Sequence, residues 1–273
     1  MSTAASTLPA TIRLPGFGFV KVAGPDAGAF LQSQLSSDLK PLSDGDAQWS
    51  ALLNPQGRVI AFFGLFRVDA ECYRLLMPTH AIEATIAHLR RFQLRSKLTL
   101  SADPTAAGGG WVAAGPAPHG SLQTATRWFA TAPDLTPDVD PATQTRWAVA
   151  DIDEGLTWLS ADQREQFVAQ MLGLEQLGAL SLRKGCYPGQ EIVARAHYRG
   201  AVKRRLAKLR TVVRVAPGAA VERADGGGDC GVVLSSAGTE GEYRVLAVLA
   251  TEPLSSDYVI RSESAGPIRA ERY

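Results

Sequence analysis

The last part of the chain, residues 204–273, carries strand signals only. Its apolar segments are short and are separated by Gly-rich or Pro-containing turns; they are residues 206–215, 231–235, 243–250 and 257–261. Short strands that follow one another without a helix bury their apolar faces against each other, usually in a barrel or a sandwich. The sequence therefore predicts a C-terminal all-β domain over residues 204–273.

Residues 1–203 interleave helical and strand patterns. Apolar residues at helical spacing predict a helix that begins after Asp26 and ends before Pro41, and a second over 79–89 with Thr79 as its cap. The turn 54–57 joins two strand-like runs as a β-hairpin. The predicted strands of this part are 48–53, 58–68 and 71–77. This alternation favours an α+β domain over residues 1–203.

Two further stretches complete the prediction for the first domain. Residues 101–145 are rich in Ala, Gly, Pro and Thr, which indicates irregular connections between short strands. After them Phe167, Met171 and Leu174 recur at helical spacing and predict a helix over 162–174.

The octapeptide Lys184-Gly185-Cys186-Tyr187-Pro188-Gly189-Gln190-Glu191 gathers a thiol, an ammonium, a phenol, an amide and a carboxylate. Its two glycines and its proline are incompatible with a regular helix. We therefore expect these side chains on a shaped loop, followed by a strand that contains Ile192–Ala194. This loop is the candidate functional site.

Cys186 is the cysteine with a chemically suggestive setting. It follows Arg183 and Lys184, and neighbouring cations stabilise a thiolate, which is a nucleophile and a metal ligand. A free cysteine is also often a small buried apolar residue, and spacing alone leaves both roles open. Cys72 and Cys230 lie in apolar, strand-like surroundings and are expected in the core. Three cysteines make no disulfide framework, in agreement with a reducing compartment.

Positive charge is concentrated between Arg183 and Arg210. This segment holds nine Lys or Arg residues and one acidic residue, Glu191, in a chain whose net charge is only +1. Such a concentration creates a local positive field, which suits binding of a small anion, an acidic protein surface or nucleic acid. The alternative is that these cations form a solvated face without a ligand. Only Tyr187 and Tyr198 are aromatic there, so base stacking on tRNA is weakly supported.

Several classes of protein are excluded or disfavoured by the sequence. Residues 1–10 do not resemble a secretory leader, and no window approaches a membrane span, so a cytoplasmic location is the expectation. The glycine runs at 108–110 and 226–228 match no phosphate-binding fingerprint. The four histidines are scattered without metal-ligand spacing, and a lone reactive cysteine cannot hold an iron–sulfur cluster by itself.

The octapeptide closely resembles the signature of the YgfZ family of folate-binding proteins. The supporting segments are its continuations 192–195 and 199–204, the runs 31–38 and 94–97, and the turn 54–58. The resemblance implies a fold like that of the glycine-cleavage T-protein, with α+β modules round a central folate-sized hole and a C-terminal antiparallel β-barrel. It also implies tetrahydrofolate binding and a role in assembling or repairing iron–sulfur clusters of client proteins, including enzymes that thiolate tRNA.

The family motif carries specific roles onto this chain. It implies Lys184, Cys186 and Tyr187 as the reactive group, with Cys186 as a redox-active thiolate or a transient cluster ligand, and no resident metal. The residues that it implies in folate binding are Asp153, Glu154, Tyr187, Gln190, Glu191, Arg195 and Arg199. A carboxylate pairs with the amino-pyrimidinone edge of a pterin, an aromatic ring stacks on its face, and cations hold the glutamate tail. Asp153 precedes Gly155 by two positions, where the T-protein pattern R-x-E-x-G has a glutamate.

The sequence and the resemblance together suggest three functions. The first is a folate-dependent accessory factor, and not a conventional enzyme, that works on iron–sulfur client or scaffold proteins. The second is transfer of an aminomethyl group to tetrahydrofolate, which needs a positioned carboxylate near the folate nitrogens. Between residues 80 and 94 the only acidic residue of the chain is Glu83. The chain therefore lacks the Asp-rich catalytic stretch of the T-protein, which disfavours this function. The third is a tRNA-binding accessory module built on the basic segment.

Overall fold

A computed structural model describes residues 11–131, 139–200, 202–252, 257–262 and 266–273. The prediction about a leader over residues 1–10 lies outside these residues. The α-helices of the described chain are α1 (Ala27–Gln34), α2 (Thr79–Gln93), α3 (Pro141–Glu154) and α4 (Gln190–Arg199). None of these helices is both long and apolar enough to cross a membrane.

The described strands fall into three sheets. They are β1 (Ile12–Arg13), β2 (Phe17–Ala23), β3 (Ala47–Leu53), β4 (Val59–Asp69), β5 (Cys72–Pro78), β6 (Thr99–Asp103), β7 (Ala107–Trp111), β8 (Leu122–Gln123), β9 (Arg127–Thr131), β10 (Arg204–Thr211), β11 (Ala220–Arg223), β12 (Asp229–Thr239), β13 (Glu242–Ala250), β14 (Asp257–Ser262) and β15 (Gly266–Arg272). One sheet has the order β3-β4-β5-β2-β6, and a second has the order β1-β7-β9-β8. The third is a closed barrel in the order β10-β13-β12-β11-β14-β15.

The chain divides into two compact units whose segments alternate along the sequence. The first contains the residues up to Gln32 together with Leu39–Trp49 and Phe63–Asp140. The second contains Ser33–Asp38, Ser50–Phe62 and Pro141–Tyr273. Strands β3 and β4 therefore run from one unit into the other. The division at residues 203 and 204 stays a proposal, and β10 begins at Arg204.

The predicted C-terminal antiparallel barrel is confirmed. All its strand pairs are antiparallel, and β12 and β13 pair over most of their length. Its interior holds side chains from every strand; the fully buried ones are Leu209, Val221, Val233, Val245, Ala247, Ile260 and Ala270. Strands β11 and β15 were not predicted, because each carries few apolar residues.

The hairpin prediction is also confirmed, since β3 and β4 flank the turn 54–57. The cap of α2 differs from the prediction. Pro78 is the N-cap and no side chain caps the helix, so Thr79 is simply its first residue. Helix α3 begins at Pro141, inside the stretch 101–145 for which irregular structure was expected. A proline at the first helical position fits because its missing N–H has no helical partner there.

The helix predicted over 162–174 is wrong. The segment holds two short 3-10 turns, Ala161–Gln163 and Ala169–Leu172. Between them the backbone pairs with β4, because the N–H of Val59 donates to the carbonyl of Phe167 over 2.8 Å, and Arg58 pairs with Val168. Pairing with a distant strand overrides the local helical spacing.

Candidate functional site

The 184–191 loop leads into helix α4 and not into a strand. Gly189 is the N-cap of α4 with φ 81°, and Glu191 lies in the first turn, where a carboxylate is favourable. The strand expected around Ile192–Ala194 is therefore wrong. Val193 packs inward at 1% exposure, and its carbonyl accepts from Nε2 of Gln170 over 2.8 Å.

Lys184 is turned into the protein. Its side chain is buried, and its Nζ donates to the carbonyl oxygens of Leu35 over 2.6 Å and of Ser37 over 2.8 Å. Burial lowers the pKa of Lys184 to about 8, and the nearby Asp38 carboxylate opposes that shift. The ammonium thus fastens the start of the 184–191 loop to the segment Ser33–Asp38 of the same unit.

Tyr187 and Gln190 fix the loop from within. The Tyr187 ring is buried 5.2 Å from Nζ of Lys184, and its hydroxyl donates to the carbonyl of Ser181 over 3.1 Å. Burial raises the pKa of Tyr187 to about 12, so the phenol keeps its proton at neutral pH. Nε2 of Gln190 donates to the carbonyl of Lys184 over 3.2 Å. These contacts give all three side chains a positioning role, and their chemical roles stay predictions.

The loop also packs against the hairpin turn 54–57. A Cβ on Gly189 would lie 2.6 Å from the carbonyl oxygen of Asn54 and 2.8 Å from Cα of Gly57. A Cβ on Gly57 would lie 2.8 Å from Cβ of Ile192. Two segments that the sequence singled out separately are therefore in backbone contact. Both contact points need glycine for space, and both glycines have positive φ.

Cys186 and Glu191 are the members of the motif whose side chains face solvent. Cys186 is exposed, and no described residue forms a hydrogen bond with its thiol. By contrast, Cys72 is half-buried and Cys230 is buried, and burial raises the pKa of both thiols. The loop thus presents one sulfur outward while the side chains of Lys184 and Tyr187 face the interior.

Helix α4 carries the remaining predicted residues of this region. Arg195 and Arg199 are both exposed and, four positions apart, lie on the same side of the helix. Tyr198 is 76% exposed. The exposed arginines agree with a role in binding an anion and equally with a solvated face.

Asp153 lies near the end of α3 and not on the 184–191 loop. Its Oδ1 accepts from the hydroxyl of Tyr273 over 2.6 Å and lies 3.9 Å from Nε of Arg244. Lys208 donates to its backbone carbonyl. The ring of Tyr273 lies 4.4 Å from the guanidinium of Arg210. The sequence pointed to Asp153 but not to its partners, because they lie far from it in the chain and none of them belongs to a motif. Glu154 follows and is half-buried.

The segment 33–38 also contributes more than the sequence indicated. Oγ of Ser36 donates to the carbonyl of Ala179 over 2.7 Å and accepts from the N–H of Ala51 over 3.0 Å. The hydroxyls of Ser37 and Ser50 are 2.7 Å apart. The resemblance of residues 31–38 was the only signal for this buried support. Within the described ranges, no cluster of three or more His, Cys, Asp or Glu side chains is arranged to hold a metal ion.

The comparisons with known proteins give both a fold and a family. No protein-family model matches the chain. An uncharacterised protein of Haemophilus influenzae is 33% identical over 197 residues, which cover 71% of this chain and 70% of that protein. The tRNA-modifying protein YgfZ of Klebsiella pneumoniae is 25% identical, and the alignment covers 98% of this chain and 94% of that protein. The protein of the same name in Escherichia coli is 28% identical, and the alignment covers 75% of this chain and 73% of that protein.

Among solved structures, the glycine cleavage system aminomethyltransferase T of Bartonella henselae superposes with a TM-score of 0.69. The match covers 96% of this chain and 84% of that protein at 14% identity, so it establishes the fold alone. The predicted α+β class with a C-terminal barrel is therefore confirmed. The YgfZ proteins of Klebsiella pneumoniae and Escherichia coli align with 98% and 75% of this chain, and the chain belongs to the YgfZ family.

Proposed function

We propose that this chain is a tetrahydrofolate-binding accessory factor that assists the assembly or repair of iron–sulfur clusters in client enzymes, including tRNA-thiolating enzymes. The observation that carries the proposal is the 184–191 loop. Lys184, Tyr187 and Gln190 are committed to interior contacts, whereas Cys186 is exposed between them. A loop held this firmly presents a sulfur in one place, which suits a thiol that meets a partner.

The proposed substrate is the cluster of a client or scaffold protein. A cluster bound by cysteines needs several sulfur ligands, and Cys186 supplies one. In this proposal the remaining ligands come from the partner. Cys186 thus acts as a transient ligand or as a redox-active thiol at the surface, and the chain acts without a resident metal.

The polar and charged side chains of the second unit suit tetrahydrofolate. When bound, this cofactor would supply one-carbon chemistry. Asp153 keeps its second carboxylate oxygen available at 45% side-chain exposure, and Glu154 stands beside it. Three positions further on, the hydroxyl of Thr157 is buried, and no described residue bonds to it. A polar ligand satisfies such a group. Arg195 and Arg199 are exposed cations for the glutamate tail, and Glu191 is an exposed carboxylate.

The test has two parts that separate folate from thiol. Anaerobic calorimetry with tetrahydrofolate compares the wild type with Asp153→Ala and Cys186→Ala. We expect saturable binding that Asp153→Ala weakens at least tenfold and Cys186→Ala leaves unchanged. In cells that lack the native copy, Cys186→Ala is expected to leave the activity of iron–sulfur enzymes low. Absence of binding by the wild type, or full rescue by Cys186→Ala, contradicts the corresponding half of the proposal.

A second candidate function is tRNA binding, because the named relatives are tRNA-modifying proteins. The structure offers few stacking groups for it, since Tyr187 is buried and Tyr198 is the exposed aromatic residue of α4. Retention of tRNA that falls steeply with salt is the expected signature of this candidate. Aminomethyl transfer remains the other alternative, and formation of methylenetetrahydrofolate with a lipoyl carrier protein is its test.

A further inference from the structure

The turn after α2 holds a leucine in a conformation that usually requires glycine. Helix α2 ends at Gln93, and the N–H of Ser96 donates to the carbonyl of Gln93 over 2.8 Å, which closes a four-residue turn. Leu94, the second residue of that turn, has φ 42° and ψ −109°. These angles are close to the first central position of a type II′ turn, where glycine avoids a clash of Cβ with the backbone.

The side chain of Leu94 is 89% exposed. Leucine at this position therefore carries a backbone strain and also exposes a large apolar group to water. Beside it Phe92 is 42% exposed. Strained residues persist where the surroundings fix them, and they concentrate at sites that bind something.

The surroundings of Leu94 do fix it. Nε2 of Gln93 donates to the carbonyl of Leu98 over 2.7 Å, and the N–H of Leu98 donates to the carbonyl of Ser96 over 3.0 Å. The N–H of Lys97 donates to Oδ2 of Asp26 over 2.7 Å. The backbone of the turn is therefore fixed by hydrogen bonds, and it presents the leucine at its apex with little backbone ordering left to occur on binding.

Exposed cations flank this apolar group in the chain. Arg91, Arg95 and Lys97 are exposed, and the guanidinium of Arg91 lies 5.8 Å from the centre of the Phe92 ring. The acidic residue of the adjoining depression, Asp26, already accepts from the backbone of Lys97. We call Phe92, Leu94 and the three cations the Leu94 knob. Its surface complements an apolar pocket with an acidic rim.

We propose that the Leu94 knob is the docking site for an acidic protein surface with a small apolar pocket and that, under the proposed function on which this rests, the iron–sulfur client enzyme provides that surface. A protein fits better than an RNA. An exposed leucine gains free energy only when an apolar pocket removes it from water, and a phosphate backbone offers none. The cations add attraction and orientation.

The experiment measures binding of the full chain to a purified, cluster-free tRNA-thiolating iron–sulfur enzyme by calorimetry. Leu94→Gly removes the apolar group while suiting the turn, so it is expected to raise the melting temperature and to weaken binding at least tenfold. A variant that is more stable and yet binds less tightly excludes unfolding as the cause. Val112→Ser is the matched control, since Val112 is 43% exposed elsewhere in the same unit, and it is expected to bind like the wild type.

Charge is tested separately. Arg95→Glu is expected to weaken binding and to reduce its dependence on salt, whereas Arg272→Glu, an exposed arginine of the barrel, is expected to do neither. The proposal is overturned if the wild type does not bind the enzyme or if Leu94→Gly binds as tightly as the wild type. It is also overturned if Leu94→Gly abolishes retention of tRNA, which would make the surface a nucleic-acid site.

These outcomes are distinct from those of the proposed function. Calorimetry with tetrahydrofolate and rescue by Cys186 variants test the folate and the thiol. If Cys186 is needed in cells but Leu94→Gly binds the enzyme normally, the function stands and the docking site is wrong. If Leu94→Gly loses the enzyme but Cys186→Ala gives full rescue, the docking site stands and the role of the thiol is wrong.

Discussion

At the scale of single residues, Lys184 shows how a buried cation can fix the conformation of the 184–191 loop. Its charge is removed from water, which lowers its pKa to about 8 from 10.5. The two carbonyl oxygens that accept from Nζ offset part of that cost. Because the folded state disfavours the charged form, the unfolded chain binds the proton more tightly between these two pH values.

The first prediction concerns the pH dependence of stability. As the pH rises from 8 toward 10.5, Lys184 loses its proton in the folded state while the unfolded chain keeps it, so the wild type gains up to about 3 kcal/mol. Lys184→Met lacks this gain and, with two buried carbonyls left without a donor, is destabilised by about 1–3 kcal/mol at pH 7. Urea denaturation of both proteins across this range measures the difference.

Tyr187 sets the upper pH limit below which the urea measurement reports on Lys184. Its pKa is raised to about 12 from 10, so its contribution is complete below pH 10 and is lost as the pH rises further. Parallel curves for the wild type and Lys184→Met between pH 8 and pH 10 would contradict the assignment of Lys184 as a buried, fully enclosed cation.

The second prediction concerns the cysteines. Alkylation of the native protein with iodoacetamide is expected to modify Cys186 first, because its sulfur is exposed. Cys72 and Cys230 are expected to react at least tenfold more slowly, since burial restricts access and raises the pKa of both thiols. Mass spectrometry of the peptides at timed intervals gives the three rates. Equal rates for Cys186 and Cys230 would show that the barrel opens as readily as the loop.

The sequence singled out the 184–191 loop, but it indicated only some of the contacts that its side chains make. It identified the octapeptide and singled out Cys186 among the three cysteines. It placed Lys184 beside the thiol, whereas the structure turns its ammonium to a carbonyl 149 residues away in the chain. A side chain's direction depends on which distant backbone groups lack partners, and no local pattern carries that information.

At the scale of elements, the contact between the 184–191 loop and the hairpin turn 54–57 is made backbone to backbone. Gly189 serves two purposes, since it supplies a left-handed N-cap for α4 and leaves room for Gly57 and the carbonyl of Asn54. The turn is itself fixed, because Oδ1 of Asn54 accepts from two N–H groups within it. The loop therefore rests on a rigid support.

The third prediction separates conformational strain from lack of space. Gly189→Ala places Cβ within 2.8 Å of two backbone atoms, so we expect a loss of about 3 kcal/mol or more from strain and clash together. Gly200→Ala is the matched control at the other end of α4, with φ 62° and open space round its Cβ. It is expected to lose only about 1 kcal/mol from strain.

Urea denaturation gives both free energies of unfolding, and the alkylation rate of Cys186 reports on the loop. Gly189→Ala is expected to change that rate, whereas Gly200→Ala is expected to leave it unchanged. Equal losses of stability for the two variants would mean that the loop shifts away from the hairpin at little cost and is not held by it.

Element predictions succeeded where the structure is local and failed where distant pairing decides. The hairpin of β3 and β4 follows from its turn residues and flanking apolar runs. The segment 162–174 has helical spacing, but its backbone donors and acceptors are used by β4, which lies more than a hundred residues earlier. Helix α4 was mistaken for a strand, because Ile192 and Val193 are β-branched and the left-handed cap at Gly189 leaves no distinct sequence signal.

At the scale of the whole molecule, the interleaving of the two units is the feature that sequence reasoning could not supply. The second unit takes segments from 33–38 and 50–62 as well as everything from Pro141 onward. Those short insertions provide the supports of the 184–191 loop, including the carbonyls of Leu35 and Ser37 and the turn at Asn54. By contrast, the barrel was predictable because strands that are neighbours in sequence pair with each other, as β12 pairs with β13.

The last prediction tests whether residues 204–273 form a domain of their own. The buried core of the barrel lies entirely within residues 207–270, and the closed sheet leaves no unpaired edge. We therefore expect the isolated fragment 204–273 to give the circular dichroism spectrum of a β protein and to unfold cooperatively. It is expected to be less stable than a fragment 141–273, since it lacks Gln163, whose Nε2 donates to the buried carbonyls of Val233 and Leu234.

If the shorter fragment is unfolded and the longer one folds, then α3 and Gln163 belong to the barrel's folding unit. The boundary at residue 204 would then mark a change of secondary structure and not a domain.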